Sequence, residues 1–230
     1  MYQIDFANPC KVYFMGIGGI SMSGLAEILL DAGFTVSGSD MKESELTKAL
    51  EMRGVKVHYK QVPENIDASK MDVVVYTAAM HDDHPELAEV IRQGIPRMPR
   101  ADLLGQIMRN YKTAFAISGT HGKTTTTTIC KTVFEEFKNT GYLIGDGEGF
   151  INKNSEYLCV ESCEFRRHFL AYYPEFAIIT NIEIDHVDYF KDEQDYFNAY
   201  QEFVKNVKEA VFYFGDDPWC KKLKFNKLCH

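Results

Sequence analysis

The residue types and spacing in 116–128, AISGTHGKTTTTT, are suited to binding phosphate. A strand-like run, TAFAIS, precedes the turn, and a helix-like run, ICKTVFEEF, follows it. A glycine-rich turn between a strand and a helix points backbone N–H groups into one concavity, and the helix dipole adds positive potential. Lys123 can reach terminal phosphate oxygens, and the Thr124 hydroxyl is placed to bind magnesium. The segment therefore predicts a phosphate-binding loop.

The spacing of this loop departs from the general P-loop template. That template requires a glycine five residues before Gly122, where this chain has Ile117. The match is the shorter G-x-x-G-K-T, in which Gly119 supplies the early turn. The alternative is a tight turn that contains a lysine by chance, but the flanking strand and helix favour phosphate binding.

A second glycine cluster, GIGGISMSGL, occupies residues 16–25. The order strand, glycine turn, helix predicts a dinucleotide or nucleotide-diphosphate site, with Asp40 at the end of the next strand placed to meet a ribose or base. The G-x-G-x-x-G template fails, because Ser21 stands where the third glycine belongs. A purely structural turn therefore remains open. A nicotinamide-dependent enzyme is a further interpretation, but it does not explain the phosphate loop.

Two acidic segments could supply a magnesium ligand beyond Thr124. They follow the apolar runs EYLCV and EFAIIT, and they contain Glu161 and Glu164 in the first, and Glu183, Asp185, His186 and Asp188 in the second. Ligands collect at the carboxyl ends of strands in open α/β sheets, and carboxylate oxygen suits magnesium. Histidine is a less usual magnesium ligand, so a structural role for His186 is the alternative.

Other clusters have simpler explanations. HDDH at 81–84 precedes PELAEV and is interpreted as a helix N-cap or a solvated acidic loop rather than a metal site. Cys159 and Cys163 could hold zinc, but without a second cysteine pair free thiols are the better interpretation. The lysines near the carboxyl end are interpreted as a solvated surface.

Composition limits the class of protein. The 230 residues are 45% hydrophobic and 25% charged, which is typical of a globular protein with a substantial core. The net charge of −8 disfavours a nucleic-acid partner. We find no secretory signal, and no apolar run approaches the roughly 20 residues of a membrane helix. We therefore expect a cytoplasmic protein without membrane or nucleic-acid partners.

The periodicity along the chain alternates between strand and helix. Strands are predicted at KVYFM, FTVSGSD, VKVHY, DVVVYTAA, TAFAIS, EYLCVES, EFAIITNI and EAVFYFG, with helices between most of them. Among the helices, SELTKALEMRG has a serine N-cap, and PELAEVIRQG opens with proline and closes with glycine. The segment GYLIGDGEGFINKNSE is predicted to be a turn-rich connection. This order predicts parallel, doubly wound α/β sheets, in domains that span 1–111 and 112–230.

The sequence resembles the Mur ligase family of peptidoglycan precursor synthesis. The stretches that carry the resemblance occur in the family's order and are GIGGISMSGLAEIL, VSGSD, VVVYTAA, PELAEVIRQGIP, RADLL, ISGTHGKTTTTT and NIEIDHVDYF. The resemblance implies a Rossmann-like domain that binds a UDP-sugar, followed by a P-loop-type α/β domain that binds ATP. It also implies an ATP-dependent ligase: ATP phosphorylates the carboxylate of UDP-N-acetylmuramate, and the amine of L-alanine attacks the acyl phosphate.

The resemblance also assigns site residues by matching position. ATP would be bound by Gly119, Thr120, His121, Gly122, Lys123, Thr124 and Thr125. The UDP-sugar would be bound by Gly16, Gly18, Gly19, Ser21, Asp40, Thr77 and Ala78. Thr124 and Glu161 would bind one Mg²⁺ and His186 a second. The catalytic residues would be Lys123, Glu161 and His186, with Lys123 stabilising charge on the transferred phosphoryl group.

Three departures from the family pattern qualify this assignment. ESCEFR replaces E-A-D-E-S-D, which leaves the contacts of Phe165, Arg166 and Arg167 open. Gln201 lies where some sister ligases have a carbamylated lysine. The chain also stops soon after GDDPW, so the resemblance implies a partial central domain, no amino-acid-binding third domain, and substrate binding without turnover. The alternative function is a non-catalytic protein that senses UDP-muramate or ATP.

Overall fold

The structure is a computed structural model that describes residues 2–77, 80–145, 149–150 and 155–225, and the backbone of 228–229. The chain divides into two compact units, Met1–Leu103 and Leu104–His230. This division falls within a helix, Arg100–Met108, whereas the boundary predicted from the sequence lies after that helix, between 111 and 112.

The first unit is built on a parallel sheet with the strand order β3-β2-β1-β4-β5. Its strands are β1 Lys11–Met15, β2 Thr35–Ser39, β3 Lys56–His58, β4 Val73–Tyr76 and β5 Arg97–Pro99. The helices that connect or follow them are α1 Ile20–Asp31, α2 Glu45–Met52, α3 Pro85–Gln93 and α4 Arg100–Met108, with a short 3-10 helix at Pro63–Asn65.

The sheet of the first unit is apolar on both faces, as expected of parallel strands covered by helices. Val73, Val74 and Val75 of β4 are all fully buried. On one face, Tyr13 and Met15 of β1 belong to a buried cluster that includes Leu87 and Val90 of α3. Alternating side chains of β1 and one stripe of α3 therefore meet in this core.

The second unit contains a seven-stranded sheet with the order β12-β11-β10-β6-β9-β7-β8. Its strands are β6 Thr113–Ser118, β7 Thr140–Leu143, β8 Gly149–Phe150, β9 Tyr157–Glu161, β10 Phe176–Ile179, β11 Ala210–Tyr213 and β12 Leu228–Cys229. The strand pairs are parallel except β7 with β8. Its helices are α5 Lys123–Glu135 and α6 Glu193–Phe203, with 3-10 turns at Phe165–Ala171, Val204–Asn206 and Cys220–Lys222.

Aromatic side chains pack α6 onto the rest of the second unit. Phe203 of α6 stacks on Phe169 with the ring centroids 4.6 Å apart, and Tyr200 meets Phe169 edge to face. All three side chains are fully buried. This packing holds in place the segment that follows β9, which carries functional candidates.

The predicted fold class, two α/β parts with parallel sheets, is confirmed. Ser44 caps α2 through a reciprocal capping box with Thr47, as its position predicted. Gly94 ends α3 in the left-handed conformation. The prediction of a turn-rich connection at 141–156 was wrong in part, because β7 overlaps the start of this segment and β8 lies inside it. The short strand β5, which ends at Pro99, was also missed.

Within the part of the chain that the structure describes, no helix is both long and apolar enough to span a membrane. The cysteines described there, Cys10, Cys130, Cys159, Cys163 and Cys220, form no disulfide. Cys159 is buried in β9, and this burial raises the pKa of its thiol well above the ordinary value. A thiol held in its protonated form is a poor metal ligand, which supports the free-thiol interpretation for Cys159.

Candidate functional site

The phosphate loop predicted from the sequence lies between β6 and α5, at the carboxyl end of a central parallel strand. β6 ends at Ser118, and α5 begins at Lys123. Gly119 has φ +135°, and a Cβ added to it would collide with the Thr180 hydroxyl oxygen. Any residue with a Cβ is therefore disfavoured in place of Gly119, because of the backbone conformation and because of the close approach of Thr180.

The segment that follows β10 holds the phosphate loop in shape. The backbone N–H of Thr120 donates to the Asn181 carbonyl at 3.1 Å, and the N–H of His121 donates to the Asn181 side-chain oxygen at 2.9 Å. The Thr180 hydroxyl donates to the His121 carbonyl at 2.6 Å. The Thr120 hydroxyl donates to the Glu183 carbonyl at 2.7 Å. Because the loop is tied at several points, its shape does not depend on its own residues alone.

Lys123 is enclosed by the loop and by a buried carboxylate. Its ammonium donates to the carbonyl oxygens of Gly119 at 2.5 Å and Thr120 at 3.1 Å. It also lies 3.3 Å from Oε1 and 3.2 Å from Oε2 of Glu164. The Lys123 side chain is 15% exposed and that of Glu164 is fully buried. The Lys123 ammonium, which the sequence predicts to bind phosphate, therefore lies at the loop and forms an ion pair with Glu164.

Glu164 links the phosphate loop to α6. The Tyr196 hydroxyl donates to Glu164 Oε1 at 3.1 Å and lies 2.9 Å from the Thr120 hydroxyl. Burial and the neighbouring Glu164 carboxylate raise the pKa of Tyr196 well above its ordinary value, so its hydroxyl stays protonated. The other oxygen of Glu164, Oε2, is buried and accepts no hydrogen bond, although the Lys123 ammonium lies 3.2 Å from it. Oε2 can therefore accept a contact from a cation that shares the carboxylate with Lys123.

His186 lies beside Glu164 in a group that could bind a metal ion. One ligand atom each from Glu164, Asp185 and His186 lies within 4.8 Å of the others. His186 has φ +50°, which is uncommon outside glycine, and its ring centroid lies 4.6 Å from that of Phe165. Backbone strain of this kind clusters at functional sites. Two carboxylates, one of them that of the buried Glu164, and an imidazole fit a divalent cation of the magnesium class.

The remaining predicted metal and cofactor ligands lie elsewhere around the loop. Thr124 and Thr125 are exposed in the first turn of α5. Glu161, at the end of β9, accepts the backbone N–H of Gly145 at 2.8 Å and is not a member of the three-residue group around His186. The structure thus brings His186 together with Glu164. The assignment of Glu161 as a metal ligand stays a prediction.

Sequence reasoning missed several residues of this site, among them Thr180, which bonds to the His121 carbonyl, Tyr196 and Asn181. Tyr196 lies in the middle of a helix, where an aromatic residue indicates core packing. Asn181 follows an apolar strand and carries no motif of its own. Its position just beyond a strand end was the available signal, since such positions face ligands in open α/β sheets.

The first glycine turn, between β1 and α1, is held by the last residue of β2 and the residue after it. The backbone N–H groups of Gly16 and Ile17 both donate to the Ser39 carbonyl, at 2.8 and 2.9 Å. The N–H of Gly18 donates to Asp40 Oδ2 at 2.8 Å. Asp40 therefore supports the turn directly, which is a use of this carboxylate that its position at a strand end did not predict.

Other predicted UDP-sugar ligands lie near the first glycine turn. A Cβ built on Gly16 would lie 3.6 Å from the Thr77 methyl group, so Thr77 is next to the turn. Gly19 caps α1, and Ser21 follows within its first turn. Ala78, also predicted as a ligand, lies outside the described residues. The structure thus places Thr77 beside the turn that carries the predicted glycines.

The residues that departed from the expected pattern have local roles. Arg166 and Arg167 have φ of +51° and +58°, and Arg167 forms a 2.6 Å ion pair with Asp195 of α6. Gln201 exchanges two hydrogen bonds with the backbone of Lys224. In the acidic cluster at 81–84, His84 occupies the N-cap position of α3 without a capping bond from its side chain.

Comparisons with known proteins match both units. A model for the Mur ligase family, catalytic domain, matches residues 11–112, and a model for the Mur ligase middle domain matches residues 117–228. The UDP-N-acetylmuramate–L-alanine ligase of Agathobacter rectalis is 47% identical over 213 residues, which cover 90% of this chain and 46% of the relative. The ligase of the same name from Clostridium kluyveri is 43% identical over 236 residues, covering 99% of this chain and 51% of the relative. The chain thus spans about half the length of these relatives.

Solved structures show the same similarity. The UDP-N-acetylmuramate:L-alanyl-gamma-D-glutamyl-meso-diaminopimelate ligase of Neisseria meningitides superposes with a TM-score of 0.83 at 25% identity, covering 94% of this chain and 74% of that structure. The UDP-N-acetylmuramate-alanine ligase of Thermotoga maritima superposes with a TM-score of 0.80 at 28% identity, covering 93% of this chain and 51% of that structure.

Proposed function

Because the chain belongs to the Mur ligase family, we propose that it carries the UDP-sugar-binding and ATP-binding parts of a ligase that joins L-alanine to UDP-N-acetylmuramate. ATP would phosphorylate the muramate carboxylate, and the amine of L-alanine would displace phosphate from the acyl phosphate. The names of relatives at 47% and 43% identity support this choice of substrates within the family.

The observation that carries the proposal is the arrangement around Lys123. A positively charged side chain lies in a glycine turn at the carboxyl end of a parallel strand, beside a buried carboxylate, with His186 Nε2 3.8 Å from Glu164 Oε1. A binding site for a nucleoside triphosphate needs a cationic side chain, free N–H groups at the start of a helix and ligands for a metal cation, all in one place. The second unit therefore supports ATP binding as its role.

We assign roles to the residues of the second unit as follows. The ammonium of Lys123 would neutralise charge on the transferred phosphoryl group, and the first turn of α5 would orient the phosphates. Thr124 and Glu161 would hold one Mg²⁺ and His186 a second, as the resemblance implies, with Glu164 and Asp185 as further oxygen ligands beside His186. When bound, the metal ion supplies positive charge to the phosphate oxygens.

We assign the UDP-sugar to the first unit. The turn from Gly16 to Gly19 opens α1, and the N–H groups of a helix's first turn favour a phosphate. Thr77 lies next to that turn. The failed G-x-G-x-x-G template at Ser21 supports a UDP-sugar over a nicotinamide dinucleotide.

The proposal is tested by giving the chain UDP-N-acetylmuramate, ATP, Mg²⁺ and L-alanine in separate binding and turnover experiments. We expect saturable binding of the UDP-sugar and of ATP. We expect phosphate release near background from these 230 residues alone, because they span about half the length of the relatives and domain closure completes such sites. Binding of NADH in place of the UDP-sugar would overturn the proposal.

A further inference from the structure

Glu86 is a buried carboxylate that the roles assigned above do not use. It lies in the first turn of α3, and it is completely inaccessible to solvent. A carboxylate in a protein interior is costly unless several donors compensate it, and a neutral side chain would serve simple packing better. Its retention in the core of the first unit therefore calls for a specific role.

Three donors from three separate segments converge on Glu86. The Tyr13 hydroxyl of β1 donates to Oε1 at 2.9 Å, and the Ser39 hydroxyl at the end of β2 donates to Oε2 at 2.6 Å. The Asn65 amide, from the 3-10 helix, donates to Oε1 at 2.7 Å. Burial and the Glu86 carboxylate raise the pKa of Tyr13 well above its ordinary value, so its hydroxyl remains a donor. Both carboxylate oxygens are thus used as acceptors.

The Glu86 contacts lead directly to the first glycine turn. Ser39, held through its hydroxyl by Glu86, accepts the N–H groups of Gly16 and Ile17 through its carbonyl. The next residue, Asp40, accepts the N–H of Gly18. Ser39 and the residue after it therefore hold three consecutive N–H groups of the turn, two of them through the Ser39 carbonyl.

A second set of contacts ties Ser39 to the start of α3. The Gln61 amide donates to the Ser39 hydroxyl at 3.4 Å, and Gln61 Oε1 lies 3.3 Å from His84 Nε2. His84 is the N-cap residue of α3, two positions before Glu86. The start of α3 therefore holds the Ser39 hydroxyl in two ways: directly through Glu86, and indirectly through Gln61, which lies next to His84.

We propose that Glu86 is a positioning residue. By accepting a hydrogen bond from Ser39, it fixes the first glycine turn in the shape that receives the diphosphate of a UDP-sugar. The ligand half of this statement rests on the proposed function, whereas the half that concerns the turn does not. Glu86 touches no substrate in this account. It acts through the Ser39 carbonyl, which sets the Gly16 and Ile17 amides.

Hydrogen exchange at the amides of residues 16–19 tests the positioning role without any ligand. Glu86→Gln keeps the size of the side chain and removes its charge, and Ser39→Ala removes the hydroxyl while keeping the carbonyl. We expect either change to speed exchange of these amides about tenfold, the size expected when a hydrogen bond to a charged group is lost. Amides in the middle of β1 and β4 should keep their protection.

Glu89→Gln is the matched control. It makes the same chemical change one turn later on α3, where Glu89 bonds to Arg92 and Gln93 of its own helix. We expect exchange at 16–19 to match the unmodified chain. A Glu86→Gln chain whose turn keeps full protection, or one that loses protection equally throughout the first unit, would overturn the positioning role. Should Glu86→Gln fail to fold, Ser39→Ala decides by the same criterion.

Calorimetric titration with UDP-N-acetylmuramate tests the ligand half. We expect Glu86→Gln to bind it about tenfold more weakly, with ATP affinity unchanged. Full affinity despite a loosened turn would overturn the ligand half. If the unmodified chain does not bind UDP-N-acetylmuramate while Glu86→Gln still loosens the turn, the proposed function fails and the positioning role stands.

Discussion

Lys123 and Glu164 form a pair that a phosphate at the loop would have to share. The ammonium lies within 3.3 Å of both oxygens of a fully buried carboxylate, which is itself held by the Tyr196 hydroxyl. A phosphate would gain the ammonium only in competition with Glu164 and would meet the negative charge of Glu164 nearby. With a divalent cation between them, the same carboxylate becomes a favourable partner. The effect of Glu164 on nucleotide binding should therefore depend on metal.

Glu164→Gln should separate these two effects. We expect ADP without metal to bind about tenfold more tightly, because Lys123 is released and a negative charge is removed. We also expect the gain in affinity on adding Mg²⁺ to shrink, because a cation ligand is lost. Calorimetric titrations of ADP in the presence of a chelator and of Mg²⁺ measure both quantities.

The control for this comparison is Glu202→Gln, on α6. Glu202 is 61% exposed, and its Oε2 lies 3.9 Å from Arg167. Its substitution should leave both titrations unchanged. Weaker metal-free binding of ADP to Glu164→Gln would show that Glu164 supports the loop rather than competing for Lys123.

At the scale of elements, the turn that joins β6 to α5 depends on Gly119. An alanine there would meet the Thr180 side chain and would also hold an unfavourable φ of +135°. We expect Gly119→Ala to lower the free energy of unfolding by about 3 kcal/mol or more and to abolish ATP binding. Urea unfolding followed by a probe in the second unit measures the first quantity, and calorimetry measures the second.

Gly122→Ala provides the comparison within the same turn. Gly122 also has a positive φ, +81°, but a Cβ there would have no neighbour within 4 Å. Strain without a collision should cost about 1 kcal/mol. Equal losses for the two substitutions would contradict the claim that contact with Thr180 fixes the turn.

The capping box of α2 can be tested in the first unit. The Ser44 hydroxyl accepts the Thr47 N–H at 3.2 Å, and the Thr47 hydroxyl accepts the Ser44 N–H at 2.9 Å. Ser44→Ala should destabilise the first unit by about 1 kcal/mol in urea unfolding, as the loss of an N-cap usually does. Ser69→Ala, at an exposed turn where the hydroxyl bonds to the neighbouring Asp67 side chain and caps no helix, is the control. A cost as small as that of the control would show that α2 does not depend on its cap.

At the scale of the whole molecule, the sequence was sufficient to predict the fold class and most elements. The periodicity of apolar residues, the N-cap residues and the glycines at helix ends are local signals, and they predicted α1, α2 and α3. The strands β7 and β8 escaped prediction because a glycine-rich segment becomes a strand only when a neighbour supplies its hydrogen bonds, here β9 for β7. A strand as short as β5 likewise depends on its pairing with β4.

The site was predictable to the level of segments but not of every side chain. Both acidic segments were identified, yet spacing could not indicate which carboxylate of VESCE would lie beside Lys123. Glu161 is the last residue of β9, whereas Glu164 follows a change of chain direction that begins at Ser162. Which of the two approaches His186 depends on that turn and on α6 packing against it, and neither is a local property of the sequence.

The central claim is that the chain carries two separate nucleotide sites, one in each unit. Calorimetric titration of the unmodified chain and of Lys123→Ala with UDP-N-acetylmuramate and with ATP and Mg²⁺ tests it most directly, with Lys138→Ala as the surface control. We predict that Lys123→Ala binds the UDP-sugar with unchanged affinity and shows no ATP binding. Loss of both ligands to the same extent would contradict the assignment of two sites.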